Sequence, residues 1–426
     1  MSLTELAPWL EQSRWPTVPI RYVASLGTGH TPSRQHPEYW ENCTVPWITL
    51  ADVWQLRDGT RDTITETKEK ISRLGMANSA AVLHQSGTVI LSRTASVGFS
   101  AIMGRDMATS QDFATWTCGP QLDPRFLLQA LRAMAPDLRR VAAGSTHKTI
   151  YMPDIEQLRI PLPAMEEQRR IAAFLDAEIA RIARMESLQQ AVLAKLTERD
   201  LAVIDLELDR LKSQFDTAPL RRSVRRIEQG SSPQCDNFPA GEGEWGVLKI
   251  SSIKNGTFFS KENKRLPADL SPDRRFMVHP GDLLVTRANT PELVGDVAVV
   301  TEHSERLLLP DLIYRIQLTE SLIPEFAALT LRGSKVRSLV RATARGTSQS
   351  MVKLRGEDIR EWPIPHAPTS RQREAIDTVT RHKTLTATLK AQVWRQLELL
   401  AERRQALITA AVTGQIDVAT ARGVGV

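Results

Sequence analysis

The chain has 426 residues, enough for two or three domains, with 42% hydrophobic residues and a formal charge of +6. Its apolar runs are too short to cross a bilayer, and its first residues lack the basic and apolar regions of a secretion signal. Cys43, Cys118 and Cys235 are scattered and odd in number, so disulfide-stapled and zinc-ribbon classes are excluded and a cytoplasmic protein is expected.

In chain order, residues 14–160 read as a mixed α/β globule. Residues 45–50 and 88–91 are β-branched and apolar with turn residues around them, and residues 112–117 alternate in the same way, so all three predict strands. Residues 124–141 predict a helix, with Pro124 near its start and Phe126, Leu127, Ala130, Leu131 and Met134 on one face. Trp47, Trp54 and Trp116 are expected in core or strand packing rather than as stacking platforms. Residues 166–211 contain no Gly or Pro. Leu175, Ile179, Ile182, Leu188, Leu193, Leu196 and Val203 recur there at helical spacing, which predicts an amphipathic helix of roughly 60–70 Å.

From residue 218 the order starts again. Strands are predicted at 247–250, 283–285 and 313–316, and a helix at 324–341. A second long helix, 370–412, carries a stripe of Leu385, Leu389, Val393, Leu397, Leu400 and Leu407. Neither stripe has an obvious partner in its own globule, so the two helices are expected to bury each other as an antiparallel coiled coil.

The second half repeats the first in detail. Trp15-Pro16-Thr17-Val18-Pro19-Ile20-Arg21 returns as Phe215-Asp216-Thr217-Ala218-Pro219-Leu220-Arg221. Gly87-Thr88-Val89-Ile90-Leu91-Ser92-Arg93 returns as Gly281-Asp282-Leu283-Leu284-Val285-Thr286-Arg287. Gly144-Ser145-Thr146 and Ile160-Pro161-Leu162-Pro163 return as Gly346-Thr347-Ser348 and Trp362-Pro363-Ile364-Pro365, both 202 residues on. A repeat of this length means duplicated domains rather than a solenoid. The charge is distributed unevenly: residues 326–356 hold seven basic residues and no acidic one, whereas residues 166–212 hold ten acidic and eight basic. The positive charge therefore belongs to the globules, although an exposed helix with a solvated basic face also explains it.

Motifs for chemistry are missing. There is no P-loop, no glycine-rich dinucleotide or S-adenosylmethionine turn, no Asn-Pro-Pro-aromatic tetrapeptide, no histidine ligand spacing and no nucleophile elbow. The chain reads as non-catalytic.

Two strings carry a resemblance. Ile160-Pro161-Leu162-Pro163 followed by Glu167-Gln168-Arg169-Arg170-Ile171-Ala172-Ala173-Phe174-Leu175-Asp176 resembles the first conserved region of the specificity subunits of type I restriction–modification systems. Residues 402–417, Glu402 to Asp417, resemble the end of that family's second conserved region. The second Pro-x-Pro junction keeps Gln372 but has Arg371 where the first has Glu167. The resemblance implies a fold of the α/β (α+β) class: two similar mixed α/β target-recognition domains separated by two long helices forming an antiparallel coiled coil. Residues 1–160 and 215–362 would be the recognition domains. Residues 161–214 would be the spacer helix, and 363–426 the second conserved helical region with the C-terminal tail. Each domain would read one half of a bipartite site in double-stranded DNA, and the helices would set the spacing and dock methyltransferase subunits, two of them expected. Glu167, Gln168, Arg169, Phe174, Arg403, Arg404, Leu407 and Thr413 are the partner-binding residues that follow. No cofactor is expected in this chain. S-adenosylmethionine would sit on the methyltransferase partner, and ATP and Mg on an endonuclease–translocase partner.

Base reading needs donors and acceptors on loop tips. Ser145, Thr146, His147 and Lys148 follow one glycine; Thr347, Ser348 and Gln349 follow its counterpart. Gly29, His30, Thr31 and Arg34 pair with Ser231, Ser232 and Gln234 as a second set. Arg93 and Arg287 end equivalent strands, and Arg341, Arg345 and Lys353 add charge. Other readings stay open at this point: an enzyme with a divergent site, a coiled-coil adaptor with only non-specific DNA binding, or the specificity subunit of a modification-only or phage-defence system.

Overall fold

The computed structural model describes residues 7–57, 59–142, 148–301, 306–348 and 351–418. The chain divides into two units, residues 1–190 with 394–426, and residues 191–393. Both long helices run through both units, so the division cuts across the four consecutive segments read from the sequence.

In the first unit, strands β1 (Ala24–Thr28), β2 (Val89–Ser92), β3 (Ser100–Met103) and β4 (Phe113–Cys118) form a sheet in the order β1-β4-β2-β3, extended at the β3 edge by Thr63–Ile64. All pairs are antiparallel except this last one. The first four residues of β4 are buried, as are all four of β2, because α1 (Pro124–Val141) covers the sheet. Asp123 caps α1, accepting from the Arg125 and Phe126 amides, and Pro124 fits the first turn, where no amide bond is lost. Trp116 and Phe126 are fully buried; withdrawing each such side chain from water is worth about 2–3 kcal/mol. The second unit has the same order, β5-β8-β6-β7, from β5 (Val224–Gln229), β6 (Leu283–Thr286), β7 (Val297–Val299) and β8 (Ile313–Leu318). Gly87 and Gly281 turn into β2 and β6 with the same φ of +88°, a left-handed conformation that disfavours any side chain.

Each unit also holds a three-stranded sheet with a central strand, Val45–Ile48 or Gly246–Leu248, paired antiparallel on one side and parallel on the other. A two-stranded ribbon closes each globule. Thr17–Pro19 pairs with Arg159–Pro161, and Thr217–Pro219 with Pro363–Pro365, so the second Pro-x-Pro string is one strand of its ribbon and the first starts at the last residue of its strand.

The helix expected over 324–341 is two: α3 (Pro324–Arg332) and α4 (Ser334–Thr343). The reason is tertiary. A Cβ at Gly333 would lie 2.5 Å from a Leu208 methyl, and Asp205 accepts the Ser334 amide at 2.8 Å, capping α4 from outside. Leu208 and Asp205 belong to α2 (Met165–Gln214), the first long helix.

The second long helix, α5 (Thr369–Val412), pairs with α2 in both units. In the first unit Ile171, Leu175 and Ile179 join Ile408, Ala411 and Val412 in the globule's own core, and Glu186 meets Arg404. In the second, Asp200 meets Lys390 and Arg210 meets Glu374, so the helices are antiparallel. The helices therefore bury each other and their globules at once. The predicted stripe is corrected accordingly. Leu188 and Leu385, expected in the seam, are 61% and 58% exposed, while Ile204, Leu208 and Val379 are buried. Trp54, expected in the core, is 63% exposed, whereas Trp47 and Trp116 are buried.

Candidate nucleic-acid interface

At one end of the first unit's sheet, three segments converge on the turn before β4. Leaving β1, the backbone at Gly29 runs so close to Thr109 that a Cβ would sit 1.8 Å from its carbonyl oxygen, and the His30 amide donates to that oxygen at 3.0 Å. This contact delivers Thr31 to Gln111, where the Thr31 hydroxyl donates to Oε1 at 2.6 Å. Beyond β2, Arg93 donates from Nε to the Gln111 carbonyl at 2.9 Å and from Nη1 to the Ile150 carbonyl at 3.3 Å. The Ile150 amide returns a bond to Arg93 O at 2.9 Å, and the Ala95 amide holds the Lys148 carbonyl. Behind the loop, burial pulls the His84 imidazole below its ordinary value, against a backbone bond at Thr28 that raises it.

The second unit repeats this arrangement. A Cβ at Gly230 would lie 1.7 Å from the Leu309 carbonyl oxygen. The Ser232 hydroxyl bonds Asp311 Oδ1, and the Asp311 amide reaches Ser232 Oγ at 3.3 Å. Arg287 donates from Nη1 to the Asp311 carbonyl at 3.2 Å, and the Leu354 amide donates to Arg287 O at 2.9 Å. Beside this cluster lies a cleft of about 580 Å³ lined by Ser232, Gln234, Lys249 and Lys264 among others.

The structure thus brings together Gly29, Thr31, Arg93 and Lys148 in one unit and Ser232, Arg287 and Lys353 in the other. His30, Arg34, Ser231, Gln234, Arg341, Lys148 and Lys353 are exposed. Arg34 lies over the Trp40 ring at 4.7 Å and within 3.5 Å of Glu69, so it is tied to its own globule. Ser145, Thr146, His147 and Gln349 fall outside the described residues. The backbone of Arg345–Ser348 is a strand paired with Met351–Lys353, where the sequence suggested a loop. Arg93 and Arg287, expected to reach phosphate or a base unless they cap a helix or pair with a carboxylate, direct donors at backbone carbonyls of the loops and so position them. Sequence reasoning missed Gln111 and Asp311. Their signal was an offset of 200, two residues out of step with the offset of 202 that aligns the later motifs.

Residues 12–194 match the family model described as "Type I restriction modification DNA specificity domain". That stretch is thus similar to the DNA specificity domain of type I restriction–modification systems. It is 30% identical over 158 residues to the EcoEI specificity subunit of Escherichia coli, covering 37% of this chain and 27% of that one. It is 24% identical over 289 residues to the EcoKI specificity subunit of Escherichia coli strain K12, covering 65% and 61%. The chain thus spans less than two thirds of the length of either relative. A solved structure describing complex assembly and conformational transition of the type I R-M system shares the fold, with a TM-score of 0.64 and 17% identity over 94% of this chain and 98% of that one.

The helix residues that the family resemblance pointed to separate into two groups. Gln168 and Thr413 are fully buried, which corrects their expected role in docking. Gln168 accepts the Asp123 amide at 2.8 Å and donates to the Gln121 and Pro163 carbonyls, both at 2.9 Å. Gln372 makes the same three bonds with Ile323, Ser321 and Ala367. Each glutamine fastens its helix start to the turn before α1 or α3. Thr413 donates to Thr409 O at 2.7 Å, and its carbonyl accepts the Arg14 amide. Phe174 and Leu407 are half-buried against the first core. Glu167 pairs with Arg170, and Arg404 with Glu186 at 3.3 Å; Arg169, which pairs with Glu166, and Arg403 are exposed. Among the described residues, no group of three or more His, Cys, Asp or Glu could hold a metal ion, and no helix is long and apolar enough to cross a membrane.

Proposed function

We propose that this chain is the non-catalytic DNA-recognition subunit of a type I restriction–modification complex, with each unit reading one half of a bipartite site. The observation that carries this reading is the repeated loop frame: glycine approach, hydroxyl bond and arginine brace recur in both units while the residues at the tips differ. Two readers of different half-sites need a common frame and different edges to hydrogen-bond. The helices that run through both units set the number of unread bases and dock methyltransferase subunits, two of them. Exposed Leu188, Val192, Leu385 and Trp394 on those helices suit such docking. S-adenosylmethionine belongs on that partner, ATP and Mg on an endonuclease–translocase partner, and the complex works in the cytoplasm.

The test is a methylation map. The chain is co-expressed with a methyltransferase subunit of its system in a host lacking adenine methylation, and N6-methyladenine is located by single-molecule sequencing. A split motif that appears only with this chain is the expected result. An assembled, S-adenosylmethionine-bound complex that yields no motif overturns the reading in favour of an adaptor with only salt-sensitive, non-specific DNA binding.

A further inference from the structure

We propose that Gln111 and Asp311 are the specificity-determining side chains at the centre of the two loop clusters, Gln111 reading an adenine in one half-site and Asp311 a cytosine in the other. This inference rests on the recognition role proposed above. Two independent contacts and a shared place before equivalent strands put the two residues at one equivalent point. An arginine that ends the preceding equivalent strand holds the carbonyl of each, Arg93 at 2.9 Å and Arg287 at 3.2 Å. A hydroxyl from the loop after the close-approach glycine holds one side-chain oxygen of each, Thr31 for Gln111 and Ser232 for Asp311. Each stands two residues before a strand that is paired on both sides in its unit's sheet, β4 or β8.

Against that common frame the two side chains differ in the property that separates bases. Gln111 is exposed, and its Nε2 has no partner among the described residues, while the Thr31 bond leaves Oε1 a second lone pair. A primary amide so held presents one donor and one acceptor side by side, the pattern that matches adenine N7 and N6 in the major groove. Asp311 has no donor on its side chain. With Oδ1 bonded by Ser232, Oδ2 remains an acceptor, the complement of the cytosine N4 amino group. Thr31 and Ser232 act through these residues as positioning groups: a hydroxyl bond restricts the rotamers of the side chain and leaves its other polar atom for a base. The exposed Lys264 ammonium of the neighbouring cleft supplies charge for phosphate near Asp311, while Lys249 is paired with Glu262 at 3.4 Å.

The bland alternative is that both hydroxyl bonds simply staple loops. Conservative variants separate the two. Gln111→Glu keeps an acceptor for Thr31 but removes the donor; Asp311→Asn keeps an acceptor for Ser232 but adds one. Each full-length variant is co-expressed with the methyltransferase subunit, assembly is verified by native mass spectrometry, and the methylated motif is mapped. Gln111→Glu is expected to lower methylation of sites carrying the original adenine by about tenfold or more at one position of one half-site, and Asp311→Asn to do the same for one cytosine in the other. Thr31→Val is expected to weaken the same adenine preference without replacing it by another base. Original motifs methylated at the original fraction by both variants would overturn the assignment and leave the staple. So would an assembled variant that methylates nothing, because a residue reading one base pair relaxes one position and spares the rest. A wild-type complex without any split motif would instead overturn the recognition role itself.

Discussion

The two units place different chemistry at the same point of the same sheet. In the first, Gly27 on β1 faces Thr115 on β4; a Cβ on Gly27 would sit 2.8 Å from the Thr115 hydroxyl. In the second, Glu228 on β5 faces Arg315 on β8, and Arg315 is 5% exposed. Arg315 donates to Glu228 at 2.8 Å from Nε and to the Met277 and Arg275 carbonyls from its terminal nitrogens, with Asp282 at 3.4 Å. One copy fills the position with a glycine–threonine contact, the other with a buried ion network. The helices diverge in the same spirit. Glu186 of α2 meets Arg404 of α5 in the first unit, and Lys390 of α5 meets Asp200 of α2 in the second. The offset of 204 that relates the identical clamps Gln168 and Gln372 also relates 186 to 390 and 200 to 404, so the two pairs are equivalent with polarity reversed. The i,i+3 pairs Glu167–Arg170 and Arg371–Glu374 are reversed at the same offset. The duplicated frame keeps its glutamine clamps and its loop arginines, while the ion pairs have been free to diverge. Antiparallel pairing of two copies of α2 in this register would set Glu186 against Asp200, and two copies of α5 would set Lys390 against Arg404. Like charges at half-buried positions oppose both homotypic pairings.

Breaking the sheet contrast should give the largest effect. Arg315→Met leaves Glu228 and Asp282 without their buried cation, and we expect a loss of about 3–5 kcal/mol in chemical denaturation. Thr115→Val at the matching place should cost less than about 1 kcal/mol. Equal losses at both sites would mean that the network adds nothing. Next, Arg404→Glu should destabilise by about 2–3 kcal/mol by facing Glu186, and adding Glu186→Lys should recover most of it, a coupling that a double-mutant cycle measures directly. The smallest effect concerns Lys383, which burial and then the neighbouring Arg332 pull down to about 8 from an unfolded value of 10.5. Below pH 8 both states hold the proton and the folded state bears the burial cost. Between pH 8 and 10.5 the folded state releases it while the unfolded state keeps it, so stability rises with pH. Lys383→Met should therefore stabilise the protein at pH 7 by about 1–2 kcal/mol, after allowance for solvent, and abolish that rise. Thermal melts at pH 7 and 9.5 read both effects.

Much of the architecture was legible. The helix predicted over 124–141 has those bounds, and the long helices differ from prediction by at most three residues at their ends. Pro124, Asp123 and an unbroken run without Gly or Pro act locally, over a few residues, and so survive in any fold. The break at Gly333 was not legible because its cause lies in Leu208 and Asp205, more than a hundred residues away. Gln168 was noticed as part of a family string, yet its role as a buried clamp depended on the Gln121 and Pro163 carbonyls that surround it. Gln111 and Asp311 drew no notice because single polar residues before a strand carry no periodic signal.

The sequence by itself determined that the chain is a duplicated pair of globules and long helices, because repeats and helical periodicity are properties of neighbours along the chain. Only the tertiary structure decided which face of each helix is buried. Periodicity defines an apolar stripe about a helix's own axis, and Leu188 and Leu385 satisfy it while lying in solvent. It also decided that two arginines brace loops and that two unremarked residues stand at their centres. Hydrogen bonds over distances of 57 to 85 residues, such as Arg93 to Ile150 or Thr28 to Phe113, are closed only when the chain has folded back on itself.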